Sequence, residues 1–509
     1  MNKSQKRIIT SPYTLSRNFL YNIFLQIWLL LLSILTAPYI VHKLGEEAYG
    51  IWGMVLVTLG YFQFLNLGTN HAVIKFVSEY WSKDKKEEVN RIIGVALTIH
   101  FLIGAVGCGV ILLFAKFFLS LFKIPSYLLK TSYFVFYIAS VSFFFGMCQS
   151  VFHSVFSAFQ RFDLTTKITA GLTSIQILLF VILLYMGFHL KEVAIAYLCV
   201  QVLGLFVNLI VFKRFFNFLS LKFLFEKDIF VKLIKFGGFV LVGKIFERTS
   251  AYIDKFIIGL FMPVSWVSYY IVPYNLAKRG GAITDAIISV IFPAISELDG
   301  IKEVKKRNML FLKSIKYVSF GIIPLFFSVI FFSREILFFW MDKNFALKSA
   351  VILQLLSLSF LIRNFSRLAD ITARGMGYPQ MNALVQIAKT CLHVALCFLL
   401  IPKIGIKGAA ISFLAQEIVL TPVFMRYVAS NMLALSLKDV VRVLKDCIFI
   451  GFIPVFLMYL MKPLITSFRT LALIFILSLI VSYIAGYFLI FDRQERRLFT
   501  GMLLSRFSK

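Results

Sequence analysis

The sequence lacks any long hydrophilic stretch, and this excludes a soluble catalytic domain. Apolar runs of about twenty residues or more recur from Leu20 to Ile490, separated only by short charged or Gly- and Pro-containing breaks. Hydrophobic residues make up 60% of the 509 residues, and the mean hydropathy of +0.87 is far above values typical of soluble proteins. We therefore expect a protein that works in or across a membrane.

Acidic residues are scarce: 24 Asp and Glu stand against 53 Lys and Arg, which gives a net charge of +29. Such an excess collects in the cytoplasmic loops of membrane proteins, and no hydrophilic basic domain is present that could bind nucleic acid. The six cysteines lie in apolar segments without C-x-x-C spacing, so we expect neither a disulfide framework nor a metal site. The absence of a phosphate-binding G-x-x-x-x-G-K-S/T loop argues against ATP hydrolysis.

The apolar runs predict an all-α fold of about 14 transmembrane helices, because one bilayer crossing takes about 20 apolar residues. The predicted spans are 16–42, 49–80, 91–121, 128–159, 164–187, 193–216, 231–261, 264–296, 308–340, 346–375, 380–402, 406–433, 439–462 and 470–490.

The distribution of Lys and Arg predicts the orientation of these spans. Cations concentrate in alternate loops, as around 83–91, 213–235 and 302–307, and in the C-terminal tail. This bias predicts cytoplasmic termini and a multi-pass protein of the inner (plasma) membrane. The basic start, Met1 to Arg7, precedes the spans without a small-residue cleavage site, so it reads as a retained cytoplasmic end.

The longest breaks and an internal repeat predict two lobes. Leu183–Leu198 aligns without gaps onto Leu399–Leu414, six predicted spans later, as expected for parallel lobes related by an axis along the membrane normal. The amphipathic stretch Leu221–Phe230 predicts a surface helix in the linker. The predicted domains are an N-terminal six-helix lobe at 1–216, a cytoplasmic linker at 217–230, a C-terminal six-helix lobe at 231–435, two additional helices at 436–490 and a cytoplasmic tail at 491–509.

Charged residues in the middle of predicted spans are concentrated in the second half of the chain. Each costs at least about 2.5–3.5 kcal/mol to insert, so it is expected to face a cavity or a partner. One interpretation is internal pairing, such as Arg248 with Asp254 or Arg367 with Asp370. The other is a hydrated, cationic cavity for an anionic group, since Arg and Lys are the usual partners of phosphate. The candidate substrate-binding cations are Lys244, Arg248, Lys278, Arg279, Arg363 and Arg367.

Further polar residues complete the candidate site. Polar and aromatic residues expected in the cavity are Asn22, Asn66, His71, Tyr270, Tyr274 and Asn275. Acids that could couple transport to an ion, or simply form ion pairs, are Asp254, Asp285, Asp370 and Glu417. No catalytic residue and no metal ligand are predicted.

Several motifs resemble those of a known family. They are Ser16-Arg-Asn18, the stretch Leu44 to Trp52, Asn66-Leu67-Gly68, and Asp254 to Gly259. The chain resembles the polysaccharide and O-antigen flippases of the multidrug/oligosaccharidyl-lipid/polysaccharide exporter superfamily. It departs from that pattern at Asn66, where the family usually has Asp.

The resemblance implies two six-helix lobes forming a V around a central cavity, plus two extra C-terminal helices. It implies alternating access, with undecaprenyl-pyrophosphate-linked repeat units moved from the cytoplasmic to the outer leaflet. The mid-depth cations would bind the pyrophosphate, and Tyr269, Tyr270 and Tyr274 would stack on sugars. Expected partners are the lipid bilayer and the glycosyltransferases and polymerase of the same pathway. No bound cofactor is expected, and coupling to H+ or Na+ stays open.

Two alternatives remain at this point. A cation-coupled drug or small-molecule antiporter of the same superfamily needs carboxylates within the membrane, and the first six spans have none in their interiors. A polyprenyl-dependent membrane glycosyltransferase or polymerase needs catalytic acids or His near an outer face and usually a large external loop. The predicted external loops are all short.

Overall fold

The structure, a computed structural model, describes residues 28–496 except Leu30, Leu67 and Gln494, and within that range it leaves the side chains of 237–244, Glu247 and a few scattered residues undescribed. The described residues fold into α-helices joined by short turns, and no β-strand occurs among them. In the first half, the helices are α1 Leu31–Leu44, α2 Glu46–Phe62, α3 Thr69–Ser82, α4 Lys86–Leu121, α5 Ser126–Ala158, α6 Phe162–Tyr185, α7 Leu190–Phe215 and α8 Lys227–Phe261.

The second half continues in the same way. Its helices are α9 Ser265–Arg279, α10 Ala282–Gly300, α11 Val304–Phe331, α12 Ser333–Trp340, α13 Lys343–Gly375, α14 Pro379–Ile404, α15 Ile406–Tyr427, α16 Leu437–Leu460 and α17 Phe468–Leu489. A single π-helical turn, Val428–Met432, extends α15.

In the described part of the chain, eleven helices are long and apolar enough to cross a bilayer. The other three predicted spans correspond to α1, to the charged helix α8, and to the pair α9 and α10. The predicted count of about 14 is thus compatible with the structure. Large apolar side chains point outward, for example Leu113 at 80% exposure and Phe449 at 71%, as a surface that faces lipid requires.

Two predicted spans are interrupted by breaks, and these breaks occupy corresponding places in the two halves of the sequence. The second span divides into α2 and α3 at 66–68, where Gly68 has a φ of +67° and donates its N–H to Asn66 Oδ1 at 3.0 Å. That left-handed conformation is open to glycine and strained for most other residues. The eighth span divides into α9 and α10 at Gly280 and Gly281. A Cβ on Gly280 would lie 2.6 Å from Phe326 Cζ, so the close packing of that ring requires glycine.

The prediction of a surface helix over residues 221–230 is wrong for the first six of these residues. Residues 221–226 are not helical, and α8 begins at Lys227. This segment runs along α4 instead: Ser220 N–H donates to Asn90 Oδ1 at 2.9 Å, and Thr98 Oγ1 donates to the Leu224 carbonyl at 2.8 Å. Contacts with a distant helix thus replace the local hydrogen bonds that a helix would need.

The chain divides into two compact units, and each has its own core. Unit 1 comprises residues up to Ile271 together with Cys397–Gly405, and unit 2 comprises the remainder. In unit 1, α4, α5 and α7 pack around a core that includes Phe152, Phe156 and Phe212. In unit 2, α11 packs against α16, and α13 against α15. The predicted linker at 217–230 lies inside unit 1. The predicted division into lobes at 1–216 and 231–435 stays a prediction.

Candidate substrate-binding site

The two helix breaks carry three of the candidate residues. Asn66 ends the 3-10 turn Gln63–Asn66 before the first break, and Lys278 and Arg279 are the last residues of α9 before the second. Cations at a helix C-terminus are favoured by the helix dipole. Interrupted helices at corresponding positions of two halves are also typical of substrate sites in transporters with internal repeats.

In unit 1, Asp254 belongs to a fully buried ion pair. Lys255 Nζ lies 2.9 Å from Asp254 Oδ1 and also donates to the Ala251 carbonyl at 2.7 Å. The Tyr270 hydroxyl donates to Asp254 Oδ2 at 2.7 Å. Since Asp254 and Tyr270 are both 0% exposed, this group holds α8 and α9 together and does not face solvent.

In unit 2, three helices bring charged and hydroxyl side chains together inside the fold. Lys389 on α14 lies 2.6 Å from Glu417 Oε2 on α15 and also donates to Ser366 Oγ on α13 and to Thr421 Oγ1, at 2.9 and 2.8 Å. Thr421 donates to the same oxygen of Glu417 at 2.7 Å. We call Ser366, Lys389, Glu417 and Thr421 the α13–α15 cluster. Each of its four side chains has at least one hydrogen-bond partner within the cluster.

Arg363 lies at the edge of the α13–α15 cluster and is only loosely engaged by it. Its Nε is 4.0 Å from Glu417 Oε1, and its guanidinium carbon lies 5.5 Å from the centroid of the Phe413 ring. The side chain is 22% exposed, whereas that of Glu417 is 2% exposed. Because Lys389 already neutralises Glu417, the positive charge of Arg363 is left largely uncompensated.

The other charged residues of the α13 face form their own pairs. Arg367 pairs with Asp285 on α10, and Arg374 pairs with Asp370 one turn earlier on α13. The first of these pairs is half-exposed, with side-chain exposures of 37% and 56%. Arg367 therefore bridges two helices of unit 2.

All four acids considered for ion coupling thus have a cationic partner. Asp254 pairs with Lys255, Asp285 with Arg367, Asp370 with Arg374, and Glu417 with Lys389. A carboxylate that already holds a protein cation is less able to bind a cationic substrate. This arrangement favours anion binding over cation binding.

Arg248 and Arg279 are both partly exposed. Neither forms an ion pair with a carboxylate that the structure describes, and the side chain of Glu247, next to Arg248, is not among those described. Lys278 is exposed at the end of α9. The side chain of Lys244 lies outside the described residues.

The remaining candidates have different surroundings. His71 and Asn275 are exposed, whereas Tyr274 is 4% exposed and packs edge-on against Phe360, with ring centroids 5.3 Å apart. Asn22 lies outside the described residues. Tyr269 is buried as well, at 1% exposure. In this structure Asn275 is therefore more accessible to a ligand than either buried tyrosine.

Sequence reasoning missed Lys389 and its hydroxyl partners Ser366 and Thr421. A signal was present, since Lys389 is the sole charged residue between Arg374 and Lys403 in the sequence and lies in the middle of an apolar run. An isolated charge in such a place needs a partner on another helix.

The chain is similar to known proteins in sequence and in fold. A family described as "Polysaccharide biosynthesis protein" matches residues 15–299. A Shigella flexneri protein described as "Putative O-antigen transporter" is 20% identical over 423 residues, which cover 82% of this chain and 98% of that protein.

Two solved structures share the fold. The lipid II flippase MurJ in an inward closed conformation matches with a TM-score of 0.72 at 16% identity, covering 92% of this chain and 98% of that one. An inward-facing multidrug resistance MATE family transporter of the MOP superfamily matches with a TM-score of 0.67 at 15% identity, covering 84% and 94%. The predicted all-α membrane fold and the predicted family resemblance are confirmed.

Proposed function

Because the chain belongs to the family of polysaccharide biosynthesis proteins, we propose that it is a flippase for lipid-linked oligosaccharides. Its substrate in this proposal is a polysaccharide repeat unit linked to undecaprenyl pyrophosphate, which it moves from the cytoplasmic to the outer leaflet. The names of two similar proteins support this substrate class, an O-antigen transporter by sequence and a lipid II flippase by fold.

The observation that carries the proposal is the balance of charge inside the helical fold. Each candidate acid is neutralised by a protein cation, while Arg363 is engaged only at 4.0 Å and Arg248 and Arg279 have no described acid within that distance. A diphosphate leaving water needs such compensation, since an isolated ion in a low-dielectric medium loses its hydration. Guanidinium groups supply it through paired N–H donors.

The helix breaks supply the movement in this proposal. Gly68 and Gly280 interrupt the second and eighth spans, and a few residues at the ends of helices can absorb the backbone rotation of a hinge. We propose alternating access, in which the sugar and pyrophosphate pass through the protein while the polyprenyl tail stays in the bilayer.

The chain is a multi-pass membrane protein, and its membrane and orientation are part of the proposal. We place it in the inner (plasma) membrane with both termini in the cytoplasm, on the basis of the Lys and Arg distribution. In this account the chain moves its substrate without chemical change and without a bound cofactor. Glycosyltransferases supply the repeat unit and a polymerase consumes it.

A cation antiporter is the second candidate, since a MATE family transporter shares the fold. The ion pairs described above argue against it, because a cation would have to displace Lys or Arg from each acid.

Translocation in proteoliposomes tests the proposal. Vesicles containing the purified chain receive labelled undecaprenyl-pyrophosphate-linked repeat units in the outer leaflet, followed by a membrane-impermeant glycosidase. We expect a fraction of the label to become protected, and no such protection in vesicles containing an unrelated multi-pass protein. Uptake of a lipophilic dye cation without protection of the label would contradict the flippase proposal and favour the antiporter.

A further inference from the structure

The ammonium group of Lys389 is surrounded by oxygen atoms from two other helices. Its Nζ lies 2.6 Å from Glu417 Oε2, 2.8 Å from Thr421 Oγ1 and 2.9 Å from Ser366 Oγ. Each of its three N–H donors therefore has one acceptor, which is the full capacity of a lysine ammonium. Thr421 in turn donates to Glu417 Oε2, so these two oxygens are also joined to each other directly.

This environment has the chemistry of a site for a hard cation. The side chains of Lys389 and Glu417 are 5% and 2% exposed, Thr421 is 2% exposed and Ser366 is 8% exposed. One carboxylate oxygen and two hydroxyl oxygens form the ligand set, and oxygen ligands are those that hard, non-transition-metal cations prefer. A nitrogen or sulfur ligand is absent from the contacts of this ammonium in the described part of the chain.

The neighbouring charges do not replace Lys389. Arg363 Nε is 4.0 Å from the other carboxylate oxygen of Glu417, too far for a hydrogen bond. Without Lys389, Glu417 would keep only the contact with Arg363 at 4.0 Å, and removing one partner of a buried pair is strongly unfavourable. The position therefore favours a cation.

We propose that Ser366, Glu417 and Thr421 form a binding site for a monovalent cation, and that the chain fills this site with its own Lys389. The side chain acts as a tethered ion. Unit 2 consequently needs no sodium or potassium ion from solution at this position. This proposal concerns ion binding and does not rest on the proposed transport function.

Substitution of Lys389, which removes its ammonium group from the site, tests the proposal. Lys389→Ala leaves room beside the three oxygens, whereas Lys389→Met fills the same space with an uncharged chain. The purified proteins are unfolded thermally in sodium, potassium or choline chloride at equal ionic strength. We expect the wild-type midpoint to be the same in all three salts, and that of Lys389→Ala to rise with sodium or potassium by at least about 2 °C over choline.

Two control variants make the result specific. Lys389→Met has no space for an ion and Lys389→Ala/Glu417→Gln has no carboxylate, so neither should respond to the choice of cation. A Lys389→Ala protein that elutes as a monodisperse species and melts at the same temperature in all three salts would overturn the proposal. An equal sodium response in the wild type would overturn it as well.

If Lys389→Ala does not purify in any salt, Lys389→Gln provides the second test. It retains hydrogen-bond donors but lacks the charge. We expect its midpoint in choline to fall below that of the wild type and to recover in Lys389→Gln/Glu417→Gln, where the acid is neutral as well. A midpoint for Lys389→Gln equal to that of the wild type would show that no cation is required here.

Discussion

Arg363 and Glu417 lie side by side without forming a hydrogen bond, since Arg363 Nε is 4.0 Å from Glu417 Oε1. Glu417 is satisfied from its other side by Lys389 and Thr421. Glu417 therefore accepts no hydrogen bond from Arg363, and the N–H groups of this guanidinium can donate to an anion. A buried acid and a partly exposed guanidinium thus lie next to each other in unit 2.

The variant Asp285→Asn distinguishes two roles of this carboxylate: an ion pair with Arg367, and the binding of a coupling ion during transport. Its pair with Arg367 is half-exposed, and such pairs contribute at most about 1 kcal/mol to stability. We expect Asp285→Asn to retain transport and to shift the thermal midpoint little. Glu297→Gln, an exposed acid on the same helix, is the control. Abolished transport in Asp285→Asn alone would mean that this carboxylate carries a coupling ion.

Tyr270 is expected to stabilise unit 1 through its hydrogen bond to Asp254. Tyr270→Phe leaves one buried carboxylate oxygen without this donor, which costs about 1–3 kcal/mol. The thermal midpoint should fall accordingly. Tyr252→Phe is the matched control on α8, because the Tyr252 hydroxyl makes no hydrogen bond among the described residues. Equal midpoints for the two variants would contradict this role.

Gly280 is expected to be intolerant of even one added methyl group. A Cβ at this position would lie 2.6 Å from Phe326 Cζ, and Phe326 is 1% exposed. Gly280→Ala should therefore destabilise the protein by about 1–3 kcal/mol through overpacking. Gly300→Ala, where no atom lies within 4 Å of the added Cβ, should be close to neutral. Chemical denaturation of both variants measures the difference.

The contact of the linker with α4 should depend on pH. Arg91 Nε donates to both oxygens of Glu226 at 2.9 Å, and this hydrogen bond lowers the pKa of Glu226 below its ordinary value. A lowered pKa in the folded state means that the stabilisation is present above the pKa of the unfolded state and is lost as pH falls through the folded value.

Hydrogen exchange of residues 216–226 measures this dependence. Protection should be constant near neutral pH and should fall as the pH drops below the ordinary pKa of a glutamate, after correction for the intrinsic exchange rate. In Glu226→Gln, protection should be lower at neutral pH and should not change through this range. A wild-type profile that matches the variant would show that the ion pair does not hold the linker.

Hydropathy and charge placement predicted most of the helices, because crossing a bilayer constrains composition strongly. The ion-pair partners of the charged side chains were harder to predict from the sequence. Arg367 has Asp370 three residues away, yet it pairs with Asp285 on α10, since the choice depends on which helices pack together. The stretch 221–226 is amphipathic, but its hydrogen bonds to α4 override the local pattern. Lys389 is the only charged residue between Arg374 and Lys403, so it belongs to none of the one-face charge patterns that indicated the other cations.

The central claim is that cations within the fold bind the pyrophosphate of the substrate. Charge reversal tests it: Arg363→Glu and Lys278→Glu are made separately, membrane insertion is verified, and surface glycan is measured beside Lys343→Glu, an exposed cation at the start of α13. The account predicts at least about a tenfold loss of surface glycan in the first two variants, with lipid-linked repeat units accumulating on the cytoplasmic side, and normal glycan in the control. Unchanged surface glycan in both Arg363→Glu and Lys278→Glu would contradict it.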